Sequence, residues 1–328
     1  MSVPTNAPAT PPGWETVAST LLVLDDPTGT ARAWFAPDIG GNCVGFAVRD
    51  RDRNTWVQLI ATEGPELQRE KPTRFGVPVL FPFPGHTRGG VYHWHGQEYH
   101  LPGPLGATGT ITHGFAQHHP WHVTAQMPDS VTAQFTTPAD LSPAERVAYP
   151  FDITVTYRIQ VADSALHLTL TAVNEGESDA PVGIAFHPYF AIDALGGTRD
   201  AVRVHLSGNT ERVLEPPIPT GETRPAPAGD FTAMPRGQDD TRARTDITAG
   251  DVSTLTGPEG TGQIRLTLSE GVRDLLYFNP PWQASISLEP HSLMPSASSF
   301  PEGSPNALSA LAPGATVRLG ITIGWQGA

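Results

Sequence analysis

Apolar side chains recur at every second position through most of this chain, and no other feature limits its fold as severely. Phe151, Ile153, Val155, Tyr157 and Ile159 alternate with Asp152, Thr154, Thr156 and Arg158, the pattern of a strand with one buried face. Leu166, Leu168 and Leu170 repeat it after Asp163-Ser164, which predicts a hairpin. Ile264, Leu266 and Leu268 alternate too, as do Val317, Leu319, Ile321 and Ile323. No window of a dozen residues carries a helical stripe. With 33 glycines and 34 prolines as punctuation, strands without intervening helices predict an all-β fold of antiparallel sheets packed face to face, not a βαβ fold.

A chain of 328 residues, 38% of them hydrophobic, can bury one large core. Residues 15–328 are expected to form one domain, since no composition change marks a linker. Residues 1–14, with Pro4, Pro8, Pro11 and Pro12, read as a disordered tail that cannot bury enough to offset its ordering entropy. Pro216 to Pro227 reads as an extended loop.

The net charge of -13 repels phosphate backbones and anionic lipid, which argues against nucleic acid or membrane as partners and for a small molecule. Cys43 is the sole cysteine, excluding an intramolecular disulfide framework, a Cys-based zinc site and an iron-sulfur cluster within one chain. Lys71 is the sole lysine, and nothing around it suggests the desolvated pocket that Schiff-base chemistry needs. Leu21-Leu22-Val23-Leu24 is too short for a signal sequence or a membrane span. The expectation is a soluble cytoplasmic protein, monomeric or weakly dimeric.

Three short strings carry the chemistry: His113-Gly114-Phe115, Phe186-His187-Pro188-Tyr189-Phe190 and Ser287-Leu288-Glu289-Pro290. Each sets an ionisable group in an apolar or turn-forming frame, and together they can donate and remove protons near neutral pH. His113 follows Thr110-Ile111-Thr112 and reads as a strand end or the start of a turn. His187 stands between an apolar run and Pro188, which favours extended backbone. By alternation Ile286 and Leu288 share one face of their strand while Ser285, Ser287 and Glu289 share the other. Singly, each has a plain structural reading: a sheet-rim histidine, a core-packed histidine, a solvated strand-end glutamate. Convergence of the three would make an acid/base site.

A rival set is His93, His95 and Glu98 with His113, which invites a metal-binding barrel of the cupin type. Gly96-Gln97 looks like a turn that would reverse the strand, so Tyr92 to Tyr99 reads as an exposed hairpin with solvated histidines. His118-His119 before Pro120 reads as a surface turn.

Gly76-Val77-Pro78-Val79-Leu80-Phe81-Pro82-Phe83-Pro84, Gly89-Gly90-Val91-Tyr92 through Tyr99-His100-Leu101-Pro102, and His113-Gly114-Phe115 with Trp121 resemble the N-terminal half of the aldose 1-epimerase (galactose mutarotase-like) family. Phe186 to Phe190 and Leu288-Glu289-Pro290 resemble its two catalytic motifs, in the family's order, and Leu311-Ala312-Pro313-Gly314 its C-terminal turn. The resemblance implies a β-supersandwich with a sugar as substrate and no metal or other cofactor. It assigns Glu289 as catalytic base, His187 as general acid and His113 as a histidine contacting the sugar ring; Tyr189, which adds a flat apolar face beside His187, is a further candidate for substrate binding. The substrate-binding aspartate matches Asp246, with Asp240 a rival.

Departures from the family pattern bear on the substrate. Gly85-His86 stands where many members have Asn-Arg, so a charged contact is lost or comes from Arg88. Arg74 sits where the branch acting on hexose 6-phosphates carries one phosphate-binding arginine, but Gln117 stands where a second is expected. A single arginine gives only non-bidentate phosphate recognition. The expectation is therefore a mutarotase for a free or unusual aldose, with a hexose-6-phosphate 1-epimerase and a non-catalytic carbohydrate-binding protein as alternatives. Glu289 and His187 are both expected to titrate near neutrality, the imidazole held partly protonated by the carboxylate.

Overall fold

The computed structural model describes residues 8–235, 237–238 and 240–327, apart from the side chains of Ala18 and Ser19. The alternating segments are strands. Ile153–Ala162 and Ala165–Asn174 pair antiparallel without a break in register, from Ile153↔Asn174 to Ala162↔Ala165. The turn between them is Asp163 and Ser164, both with positive φ (53° and 59°), the backbone that matches the twist of a two-residue hairpin. The Asp26 carboxylate accepts the Ser164 N–H at 2.8 Å and steadies that turn.

These two strands belong to a nine-stranded sheet in which Thr316–Gln326 lies between Ala165–Asn174 and Gln263–Leu268. A second sheet has eight strands. Its middle runs from Asp240–Thr245 through Asp274–Asn279 and Ser285–His291 to Ala185–Phe186. The two sheets share one core: Tyr157 of the first packs on Phe186 of the second, ring centroids 5.5 Å apart. Leu166, Leu168 and Leu170 lie buried in the same cluster as Ile286 and Leu288, each such side chain contributing about 1.5–3 kcal/mol by leaving water. A four-stranded sheet, Leu22–Asp25, Ala31–Ala36, Asn42–Asp50 and Thr55–Gln58, packs on this body through Phe35 against Tyr157.

Three local expectations need correction. The loop read over Pro216 to Pro227 contains a strand, Ile218–Pro225, paired with Thr210–Glu215. It tolerates Pro219 and Pro225 because it is the edge strand of its sheet, where a missing N–H breaks no second ladder. Of the tail read over residues 1–14, residues 1–7 lie outside the described residues. At its other end Trp14 is fully buried with Leu21, Trp34, Ile39 and Val44, and its indole N–H donates to Thr62 Oγ1 at 3.1 Å.

The hairpin of Val91–Trp94 and Gln97–His100 turns at His95-Gly96, one residue before the expected position. His95 (φ 49°) and Gly96 (φ 74°) both lie in the left-handed region, and Glu302 accepts both their N–H groups, at 2.6 and 2.9 Å. His93 and His100 each face Glu98, at 3.3 and 2.8 Å. Among the described residues no group of three or more His, Cys, Asp or Glu side chains is arranged to hold a metal ion, and no helix is long and apolar enough to cross a membrane.

Candidate active site

Strand register brings the two central groups together. On one side of Ser285–His291, Ala185 pairs with His291 and Tyr189 pairs with Ser287 in a single register, so His187 lies level with Glu289. Alternation then decides the face. Phe186, Phe190, Ile286 and Leu288 point into the core, whereas His187, Tyr189, Ser287, Glu289 and His291 share the opposite side. Pro188 interrupts the ladder there, and the His187 N–H turns to Pro78 O, just before the neighbouring strand Val79–Leu80, at 3.0 Å.

The result is a buried pair, His187 Nε2 to Glu289 Oε1 at 3.1 Å, with side chains 5% and 4% exposed. Its proton inventory can be read from the neighbours. The Ser287 hydroxyl donates to Pro188 O (2.8 Å), so at His187 Nδ1 (2.9 Å) it accepts, and Nδ1 carries a proton. The Tyr189 hydroxyl donates to Thr73 O (2.6 Å), so toward His187 Nε2 (3.3 Å) it too can only accept. Nε2 and Glu289 therefore share one further proton between them. Burial pushes the His187 imidazole down to about 3 and the Glu289 carboxyl well above its usual range, because each charged form is poorly solvated there. The expectation of an imidazole held partly protonated is thus reversed for the resting pair. Each group favours its neutral form, with the shared proton on the carboxyl.

His113 closes the site from another segment. It follows the short strand Thr110–Thr112 and has φ 68°, with Gly114 at 72°. A Cβ on Gly114 would come within 2.3 Å of Phe81 O, so only glycine lets the chain pass here and aim the ring. His113 Nδ1 accepts the Gly85 N–H at 3.2 Å. Burial, and then the imidazoles of His187, His86 and His291, hold His113 well below the usual histidine range. The neutral ring thus presents Nε2–H as a donor, its plane edge-on to His187 with centroids 5.5 Å apart.

Tyr189 stacks on His187, centroids 4.5 Å apart and planes at 14°. Arg74 lies at the rim: Thr73 receives the Tyr189 hydroxyl, Gln283 Nε2 donates to Arg74 O at 3.0 Å, and the guanidinium covers the Trp282 ring at 4.6 Å. Phe278 links that rim to the centre, 5.7 Å from Trp282 and 6.4 Å from His187.

The structure therefore gathers Glu289, His187, His113 and Tyr189, with Arg74 beside them. It sets the others apart. Arg88 is exposed at the end of the strand His86–Arg88, lining a surface cleft with His93, Phe300 and Glu302. Asp246 is exposed beyond the end of Asp240–Thr245 and accepts the Thr210 hydroxyl. Its strand is two removed from that of Glu289, and Asp246 lies three residues past Ala243, which is level with Glu289 through Leu276. Asp240 pairs with Arg242 at 3.1 Å and lies across from Asn279, on the reverse face from Glu289.

Sequence reasoning passed over Ser287 as an anchor, His86 as a ring neighbour of His113 (6.3 Å), and His291 altogether. For His291 a signal existed, since the spacing Glu289-x-His291 puts both side chains on one face of a strand.

A family model described as aldose 1-epimerase matches residues 28–323. Among curated proteins the chain is 31% identical over 127 residues to the uncharacterized protein YihR of Escherichia coli (strain K12), a match spanning 38% of this chain and 39% of that protein. Among solved structures it is similar to the Slr1438 protein of Synechocystis sp. PCC 6803, with 19% identity, a TM-score of 0.73 and all of both chains covered. The GalM/aldose epimerase homologue from C. elegans has 13% identity and a TM-score of 0.77, over 94% of this chain and 99% of that one. Galactose 1-epimerase from Lactobacillus acidophilus NCFM has 14% identity and a TM-score of 0.69, over 94% of each chain. At these identities the likeness is one of fold.

Proposed function

The chain belongs to the aldose 1-epimerase family, and we propose that it interconverts the α and β anomers of an unphosphorylated aldose, with Glu289 as base and His187 as acid. The observation that carries this reading is the buried contact of 3.1 Å between His187 Nε2 and Glu289 Oε1. The hydroxyl and ring oxygens of a cyclic hemiacetal are bonded to the same carbon. Two groups within hydrogen-bond reach of each other can therefore serve both oxygens at once.

The shared proton sets the cycle. In the reactive form it sits on His187 Nε2 and Glu289 is ionised. Glu289 takes the proton of the C1 hydroxyl, the electrons of that O–H bond form the C1 carbonyl, the bond from C1 to the ring oxygen breaks, and the ring oxygen takes the proton from Nε2. The pair again holds one proton, now on Glu289. Rotation about the bond from C1 to C2 presents the other carbonyl face, and closure runs the same transfers backwards. Nδ1 stays bound to Ser287 throughout, which fixes the ring orientation, and the Nε2–H of His113 is a donor for a substrate oxygen.

Gln117 favours a sugar without phosphate. Its side chain is neutral, buried and turned inward to Gly114 O at 3.0 Å, so it supplies no second cation for a phosphate, and Arg74 stacks on Trp282. The test is polarimetry on freshly dissolved α-glucose, α-galactose, pentoses and hexose 6-phosphates. Acceleration confined to free sugars supports the reading. Preference for the phosphates rejects the substrate class, and no acceleration beside measurable sugar binding favours a carbohydrate-binding protein.

A further inference from the structure

His291 takes no part in the proton cycle above, yet it is buried completely beside the base. It lies two residues past Glu289 on the same face, level with Ala185 on one side and Asp274 on the other. Neither ring nitrogen has a hydrogen-bond partner, and a buried, unmatched imidazole costs folding free energy. Its Nε2 stands 3.5 Å from Glu289 Oε2, the oxygen that His187 does not touch. That is long for a settled hydrogen bond and short enough to close by a shift of a few tenths of an ångström, on the order of ordinary side-chain motion.

We propose that His291 is a positioning residue that closes on Glu289 Oε2 when the carboxylate forms, favouring the reactive arrangement of the pair over the resting one. The inference rests on the reading of Glu289 as base. A neutral imidazole donates weakly to a protonated carboxyl and strongly to a carboxylate, since a bond to a charged acceptor is about twice as strong. The gain is thus confined to the state that reacts.

The other ionisable groups around Glu289 do not offer this contact. His187 faces Oε1 and must carry the transferred proton. The Tyr189 hydroxyl is donated to Thr73 O, and His113 Nδ1 is taken up by Gly85. Asp274 is fully buried and bound through both oxygens by Arg212. The Arg273 guanidinium faces Asp274, at 3.9 Å, and Arg74 covers Trp282.

The experiment compares H291F, H291N and H291Q in the full chain. Phe keeps the ring and removes both nitrogens; the Gln amide reaches the position of Nε2, whereas the Asn amide reaches only that of Nδ1. H291F and H291N should lower kcat about 10- to 100-fold, the worth of one hydrogen bond to a charged group, with KM within about twofold of wild type. H291Q should restore kcat to within about threefold of wild type, a difference smaller than one such bond. Equal kcat for Asn and Gln, or a folded H291F with wild-type kcat, overturns the proposal; if H291F does not fold, the comparison of Asn with Gln decides alone.

A sugar-free measurement separates this from the activity itself: in protein with 15N-labelled imidazoles, raising the pH until Glu289 ionises should shift the Nε2 resonance of His291 in wild type and leave it in place in E289Q. An unchanged resonance overturns the coupling. A wild-type protein that opens no aldose, but shows the change, rejects the proposed reaction and leaves the contact standing.

Discussion

At the scale of single residues, Glu289 and His187 occupy a place that disfavours charge on either, and their nearness converts that cost into a shared proton. Changing Glu289 to Gln keeps shape and removes the proposed base, so kcat measured by polarimetry should fall about 10²- to 10⁴-fold, the usual worth of general base catalysis. Thermal stability should hold or rise, because a carboxyl whose ionised form is disfavoured by burial is replaced by a neutral amide.

The pH profile follows from the two directions of shift. With the imidazole lowered to about 3 and the carboxyl raised, the pair holds a single proton between those limits. Below them a second proton blocks the base; above them the acid is lost. A bell with a broad top is expected, titrating as a unit, and a rate that climbs through the ordinary histidine range instead would contradict it. The face that Glu289 shares with Ser285 and Ser287 was legible in the sequence, because alternation is local. The sequence did not reveal Ser287 as the anchor of Nδ1 or the burial that lowers His187, since both depend on which distant strand lies alongside.

Among the elements, the turn that aims His113 is the most exacting. Gly114 has φ 72°, and an added Cβ would meet Phe81 O at 2.3 Å. Gly114→Ala should therefore cost more than the about 1–3 kcal/mol of a strained backbone alone. KM should rise along with the loss in melting temperature, since the ring of His113 moves with its backbone. An unchanged melting temperature would contradict this.

Elements differ in how openly their sequence declares them. Ile153–Ala162 and Ala165–Asn174 were plain, one face buried and the other half-exposed. Ile218–Pro225 was hidden, because the prolines that mark a loop in most places are tolerated at a sheet edge, and edge position is a property of the assembled sheet. Trp14 was misread for a related reason. The prolines before it suggest a tail, whereas its indole finds a pocket formed by residues from Leu21 to Ala47.

Over the whole molecule, the site is also a reservoir of acid sensitivity. Burial lowers His86 to about 4, His187 and His291 to about 3, and His113 well below its usual range. An unfolded chain takes up protons on these rings as pH drops below about 6.5, while the folded chain does not. The unfolded state then binds more protons, and stability falls with pH from there to about 4. Glu289 and Asp274, whose carboxyls burial raises, act in the opposite sense, losing stability as pH rises past their unfolded values. Four rings outweigh two carboxyls, so the urea midpoint at pH 5 should lie below that at pH 7. Equal midpoints would mean that the rings are solvated.

Thr316–Gln326 is hydrogen-bonded to Ala165–Asn174 on one side and Gln263–Leu268 on the other. Among the described residues the two halves of the nine-stranded sheet join through it. A nascent chain still waiting for that segment to leave the ribosome holds two unfinished edges apart, each with open backbone donors and acceptors that invite pairing with other chains. Assembly of this sheet consequently waits until the pieces that carry His187 and Glu289, which precede that segment in the chain, have emerged.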